Sequence, residues 1–174
     1  MLEELRDKTV RLKDGSYICI SKYKEGDFKR LVEMYASLSK EALRWTRPPY
    51  NEETIRKLSN DKNLILIAKY GKRIIGHCVL DVHRHSTGKG ISSLIINVHQ
   101  NFQNKGLGAA MIEIIISWAK GKGMHRIELS VATEHKMAIH VYQKMGFKVE
   151  GIQKEAYYGS DGKYHDKVIM GLLL

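Results

Sequence analysis

The chain has 174 residues, 43% of them hydrophobic and 28% charged. That length suits one domain, 1–174, with a core large enough to need no staple, and the composition excludes disordered, collagen-like and low-complexity classes. The 29 Lys and Arg against 19 Asp and Glu give a net charge of +10; the charge is spread without a block of five, which disfavours a basic tail and leaves a solvated lysine-rich surface or a phosphate-bearing small molecule.

Thr9 to Lys13 and Ser16 to Ser21 alternate around Asp14-Gly15, which predicts a hairpin with strands at 8–13 and 16–23 and positive φ at both turn residues. Gly26-Asp27 opens a helical stretch with Asp27 as N-cap, since Phe28, Leu31, Val32, Tyr35 and Leu38 recur at helical spacing. Arg47-Pro48-Pro49 breaks the chain, and Asn51 caps a second short helix. Strands are predicted at 64–70, 73–82 and 91–98, the last isoleucine-rich and buried. Gly106 to Lys120 is the clearest helix, with Leu107, Met111, Ile114, Ile115 and Trp118 on one stripe. A strand over 126–132, a helix from Thr133 to Met145 and strands at 147–153 and 164–174, joined through Gly159 to Gly162, complete the chain. The order predicts a mixed α/β sheet with helices on both faces.

The longest aliphatic run, Leu64 to Ala68, falls far short of the about 20 residues a membrane helix needs. The first eight residues hold no apolar stretch, so no signal peptide is expected. Cys19 and Cys78 form no paired motif, which makes a reducing compartment, the cytoplasm, the expected location. His83-x-His85 has no carboxylate at ligand spacing, so no metal site is expected.

The informative stretch runs from Val98 to Ala109. A buried strand enters a glycine-bearing loop, Gln103-Asn104-Lys105-Gly106-Leu107-Gly108, which opens a long helix. Helix N-termini carry unpaired N–H groups and partial positive charge, and glycines let a phosphate approach them. Lys105 adds a full charge. The physical reading is a pyrophosphate cradle, although neither nucleotide-binding glycine pattern is present.

One helix and one strand later stands Ala138-Ile139-His140-Val141-Tyr142-Gln143-Lys144-Met145-Gly146-Phe147. Together the two stretches resemble the GNAT superfamily of acyl-CoA-dependent N-acetyltransferases. Gln103 to Gly108 matches its Q/R-x-x-G-x-G/A motif, and Ala138 to Phe147 its A-x-x-x-Y-x-x-x-G-F helix and turn. The likeness runs from about Tyr17 to the C-terminus and looks closest to the amino-acid N-acetyltransferase branch. It implies a mostly antiparallel sheet of about seven strands, splayed near the middle.

The resemblance also implies a direct transfer of acetyl from acetyl-CoA, as cosubstrate, to a primary amine: a free amino acid or related small amine, or a protein N-terminus or lysine. It implies that Ile96, Asn97 and Val98 hold the pantetheine arm, with the Val98 N–H on the thioester carbonyl. Residues Gln103, Asn104, Lys105, Gly106, Leu107, Gly108 and Ala109 would hold the pyrophosphate, and Tyr142 would stand near the thioester sulfur. Two positions depart from the family. Ser93 stands where many members carry a catalytic Glu or Asp, and His135 where many carry an Asn that bonds the pantetheine. A serine cannot act as base near neutral pH but can orient a water. A carboxylate from elsewhere, His83, His99, or an amine that arrives deprotonated are the open substitutes. Trp45, Arg47 and Tyr50 are candidate acceptor contacts, with loop packing as the alternative. A CoA-binding regulatory module without catalysis is the second functional reading, and Ser93 is its support. A homodimer is compatible with the family; no membrane partner is expected, and no recognition motif supports a nucleic-acid partner.

Overall fold

The computed structural model describes residues 5–46, 50–60, 63–83 and 85–174. Eight strands form one sheet in the order β1-β2-β3-β4-β5-β6-β8-β7, one more than the family resemblance implies. The extra strand comes from the N-terminal hairpin, β1 (Lys8–Arg11) and β2 (Tyr17–Lys22). Its turn is looser than predicted. Leu12 N–H donates to Ser16 O and Gly15 N–H to Leu12 O, and only Gly15 takes positive φ, at +88°. The strands therefore stop at Arg11 and resume at Tyr17.

A single 3-10 turn then leads into α1 (Phe28–Ala36). Asp27 does not cap α1 with its side chain. Its buried carboxylate accepts the Lys24 N–H and holds Arg30 at 2.8 Å and Lys69 at 2.9 Å. A short α2 (Lys40–Leu43) was not legible in the sequence; Ser39 caps it by accepting the Ala42 N–H. In α3 (Glu52–Leu58), Asn51 caps as predicted, accepting from Thr54 N–H at 2.9 Å. Three antiparallel strands follow: β3 (Leu64–Tyr70), β4 (Arg73–Val82) and β5 (Ile91–Val98). Helix α4 (Leu107–Gly121) returns the chain to β6 (Arg126–Ala132), which pairs β5 in parallel. Helix α5 (Lys136–Lys144) starts later than predicted, and β7 (Lys148–Tyr158) runs five residues further, to pair β8 (Tyr164–Leu173).

Helices cover both faces of the sheet. Leu107, Met111, Ile112, Ile115 and Ala119 of α4 pack on the alternate residues Leu64, Leu66, Cys78, Leu80, Ile127 and Met170. Leu31, Met34 and Tyr35 of α1, with Ile55 of α3, cover Ile67 and Ile74 on the opposite face. Each such fully buried aliphatic side chain stabilises the fold by about 1.5–3 kcal/mol. Gly76 lets α4 lie close to β4: a Cβ there would meet Met111 Sδ at 3.0 Å and Ala68 Cβ at 3.1 Å. Among the described residues, no helix is long and apolar enough to cross a membrane, and Cys19 and Cys78 are free thiols.

Candidate active site

The sheet opens between β5 and β6. Their parallel pairing covers only Ile91–Ser93 against Arg126–Glu128, after which β6 pairs with β8 alone. His99 donates its N–H to Ile75 O, and His83 donates to Ile91 O across the same strand pair. Main-chain direction alternates along a strand, so the N–H and C=O groups of Leu94, Ile96 and Val98 turn away from β4, into this gap. The side chains alternate as well. Ile96 and Val98 pack against the α4 core, whereas Asn97 faces α1 and donates to the Tyr35 hydroxyl at 3.1 Å.

The loop leading to α4 sits at the wide end of the gap. Asn104 and Gly106 both take left-handed φ, at +60° and +93°. Gly106 is the N-cap of α4 and no side chain caps that end. The Gly106 carbonyl accepts the Ala110 N–H. The N–H groups of Leu107, Gly108 and Ala109 precede the first helical bond, so they are donors for an external acceptor. A Cβ at Gly106 would meet nothing within 4 Å, and one at Gly108 only Ile96 Cδ1 at 4.0 Å. These residues fit a diphosphate. Two side chains of the loop are already committed. Gln103 Nε2 donates to Val98 O at 2.9 Å. Lys105 Nζ pairs with Asp14 Oδ2 at 2.8 Å, which lowers the Asp14 pKa to about 2. The Lys105 charge is therefore balanced by Asp14 of the N-terminal hairpin.

On the α1 side of the gap, side chains from four separate segments meet. Trp45, after α2, stacks near His135 with ring centroids 6.3 Å apart, and stands edge-on to His165 at 5.5 Å. The Tyr157 hydroxyl donates to the carbonyls of Arg44 and Thr46, at 2.6 and 2.9 Å, and so anchors the loop that carries Trp45. His165 Nδ1 lies 2.9 Å from Glu134 Oε1, and its Nε2 lies 3.0 Å from Asp161 Oδ1. Those two carboxylates, Asp161 foremost, raise the His165 pKa. Burial lowers that of His135. His135 is the N-cap residue of α5, but its side chain makes no cap. Arg47 lies outside the described residues.

Tyr50 does not join the Trp45 cluster. It stacks on Tyr35 at 4.3 Å, and the Tyr35 hydroxyl contacts His77 Nδ1 at 2.8 Å as well as Asn97. The Asn97 amide donates to that hydroxyl, so Tyr35 links Asn97 and His77 in one buried chain of polar contacts. His77 Nε2 has no partner among the described residues, and burial pushes the His77 pKa down to about 3. Tyr142 packs edge-on to Phe147 at 5.9 Å, and burial raises its pKa, so its hydroxyl stays protonated at neutral pH.

Ser93 stands where β5 and β6 part, and His83 Nε2 lies 2.9 Å from its hydroxyl. His99 is different. Its Nδ1 accepts the Asn101 N–H, it is 4% exposed, and burial lowers its pKa. That ring braces the loop, with its Nδ1 lone pair engaged by the Asn101 N–H. No cluster of metal-ligating side chains occurs among the described residues. Sequence reading missed Tyr35, His77, Glu134, Tyr157, Asp161 and His165. One signal was available for His165. Val168 and Met170 face the main core, so strand alternation places residue 165 on the opposite face.

The site thus sets a splayed strand pair beside an uncapped, glycine-entered helix. The chain belongs to the acetyltransferase (GNAT) family, whose profile its residues 31–147 match. It is 32% identical over 109 residues to the L-amino acid N-acetyltransferase AaaT of Escherichia coli (strain K12), covering 60% of this chain and 65% of that protein's length. An acetyltransferase of the GNAT family from Streptococcus pneumoniae superposes with a TM-score of 0.77 at 29% identity, over 90% of this chain and 99% of the other. The GNAT domain of S. lividans PAT superposes at 0.80 over 97% of each chain; at 19% identity that likeness concerns the fold alone.

Proposed function

We propose that this protein transfers acetyl from acetyl-CoA directly to a primary amine, and that the acceptor is a small amino-acid-like amine. The observation that carries this reading is the uncapped N-terminus of α4 beside the gap-facing main chain of β5. The name of the 32%-identical relative, an L-amino acid N-acetyltransferase, supports the acceptor class. Two free thiols suit a reducing compartment.

In this reading the amides of Leu107 to Ala109 take the diphosphate, and the gap-facing groups of Ile96 and Val98 take the pantetheine arm. The Val98 N–H points into the gap and polarises the thioester carbonyl. Preorganised main-chain donors of this kind stabilise the tetrahedral oxyanion without reorganising during reaction. Tyr142 keeps its proton at neutral pH and delivers it to the departing sulfur. Ser93, held by His83, orients a water at the narrow end of the gap. Trp45 and Tyr50 wall the acceptor's approach, and His135 donates one bond to the arm. No covalent enzyme intermediate is needed: Cys78 lies in the core with its thiol pKa raised by burial.

Titration calorimetry with CoA, followed by thiol release from acetyl-CoA across a panel of L-amino acids and simple amines, tests this reading. Micromolar coenzyme affinity and turnover of at least one amine are expected. Binding without turnover of any amine would instead favour the regulatory coenzyme-binding module that Ser93 first suggested.

A further inference from the structure

The acetyl-transfer reading, on which this inference rests, leaves the acceptor's proton without an assigned acceptor, because His83 Nε2 is engaged with the Ser93 hydroxyl. An amine reaches the site mainly as ammonium and must lose a proton before it can attack. Ser93 offers no basic atom, and the usual carboxylate is missing there. His77, His99 and His135 are all made less basic by burial. His165 stands apart from them. It faces the Trp45 side of the sheet, beside the segment 133–135 that prolongs β6 at the open end of the gap. Thr133 N–H, in that segment, donates to Asp166 O on β8.

We propose that His165 takes the proton from the acceptor's ammonium, with Glu134 and Asp161 as positioning residues. Both ring nitrogens face carboxylates, at 2.9 and 3.0 Å, from two different segments. Glu134 precedes α5, and Asp161 lies in the β7–β8 turn. The other charged groups around the ring are Arg44, whose guanidinium is 3.9 Å from Asp161 Oδ2, and Asp166, which pairs with Lys154 of β7. The rings of Trp45 and Tyr157 complete its surroundings. This setting favours the imidazolium, as a base for an ammonium requires.

The step balances as follows. Neutral His165 keeps one N–H on a carboxylate, and the other nitrogen offers its lone pair once the exposed Asp161 side chain turns to solvent. The ammonium gives that nitrogen one proton and becomes a free amine. The amine nitrogen adds to the acetyl carbon and the carbonyl pair moves to oxygen, giving the tetrahedral oxyanion. The oxyanion collapses with the carbon–sulfur bond broken; Tyr142 gives its proton to sulfur and takes the second proton from nitrogen, which restores the phenol. The imidazolium proton then reaches water by way of the exposed carboxylates.

The test measures kcat/KM against pH for the wild type and for H165Q, E134Q and D161N, with the best L-amino acid or amine of the panel as acceptor. Coenzyme affinity is measured on each by calorimetry. The wild-type rate is expected to rise through a limb above the ordinary imidazole value of about 6.5. H165Q should lose about 100-fold at neutral pH and keep rising with the acceptor's own ionisation. E134Q and D161N should move the limb to lower pH, because each removes a negative charge that favours the imidazolium. Coenzyme affinity should stay within about twofold throughout. H165N, which retains a donor for Glu134, provides the second variant should H165Q fold poorly. A wild-type limb persisting in either His165 variant, or a loss confined to acceptor KM, overturns the assignment alone. A wild type that binds no coenzyme overturns the acetyl-transfer reading and this inference with it.

Discussion

On the acetyl-transfer reading, the donor side and the acceptor side of the β5–β6 gap are built by different means. The donor side is main chain from one contiguous segment, Leu94 to Ala109, whose amides are aimed by a broken strand pairing and an uncapped helix. The acceptor side is side chains gathered from near residues 45, 135, 157 and 165. Backbone recognition tolerates most substitutions that keep the local φ values. Side-chain recognition is lost one residue at a time. A family can therefore keep one coenzyme while its acceptors vary.

Four measurements bear on that contrast. Tyr142→Phe touches the chemistry between the two sides, so kcat should fall by about 100-fold with coenzyme affinity unchanged. An unaltered kcat would remove Tyr142 from the proton path. Gly106→Val places a β-branched residue at a φ of +93°, a strain of about 1–3 kcal/mol. Coenzyme affinity should weaken by roughly 10- to 100-fold as the loop relaxes away from that geometry. Equal affinity in calorimetry would show that the donor side does not depend on the left-handed turn.

Trp45→Ala, by contrast, should raise the acceptor KM by about 10-fold, as loss of one aromatic contact predicts, and leave coenzyme binding alone. A matching loss of coenzyme affinity would mean that the two sides are not separable. The last prediction concerns stability beneath the acceptor wall. His77 has a native pKa of about 3, against about 6.5 when unfolded. Between those values the unfolded chain binds a proton that the native state refuses. Stability is therefore complete above about pH 6.5 and falls as the pH drops towards 3, by at most about 1.4 kcal/mol per unit. Urea midpoints measured from pH 7 to 4 should show this slope, and His77→Gln should flatten it.

Much of the fold was legible because its signals are local. Asn51 stands one residue before a helix, Gly106 one residue before another, and β3, β4 and β5 each announce themselves by composition. Local reading erred where a distant partner outweighed propensity. Asp27 does take the N-cap position of α1, but Lys69 on β3 and Arg30 claim its carboxylate, so the side chain makes no cap. The pairing of Lys105 with Asp14, distant in sequence, was likewise not legible. Strand β7 runs past Gln153 because β8 keeps pairing with it as far as Tyr158.

The order of residues by itself determined the glycine-bearing loop and the helix it opens, because a helix terminus and its glycines act on their immediate neighbours. Only the tertiary structure decided where β5 and β6 part, that Ser93 meets His83, and that His165 comes to lie between Glu134 and Asp161 against Trp45. Those contacts join side chains 4 to 120 residues apart, and all but the Asp161–His165 pair are ten or more apart. Their geometry follows from sheet register and packing, which no short window of sequence contains.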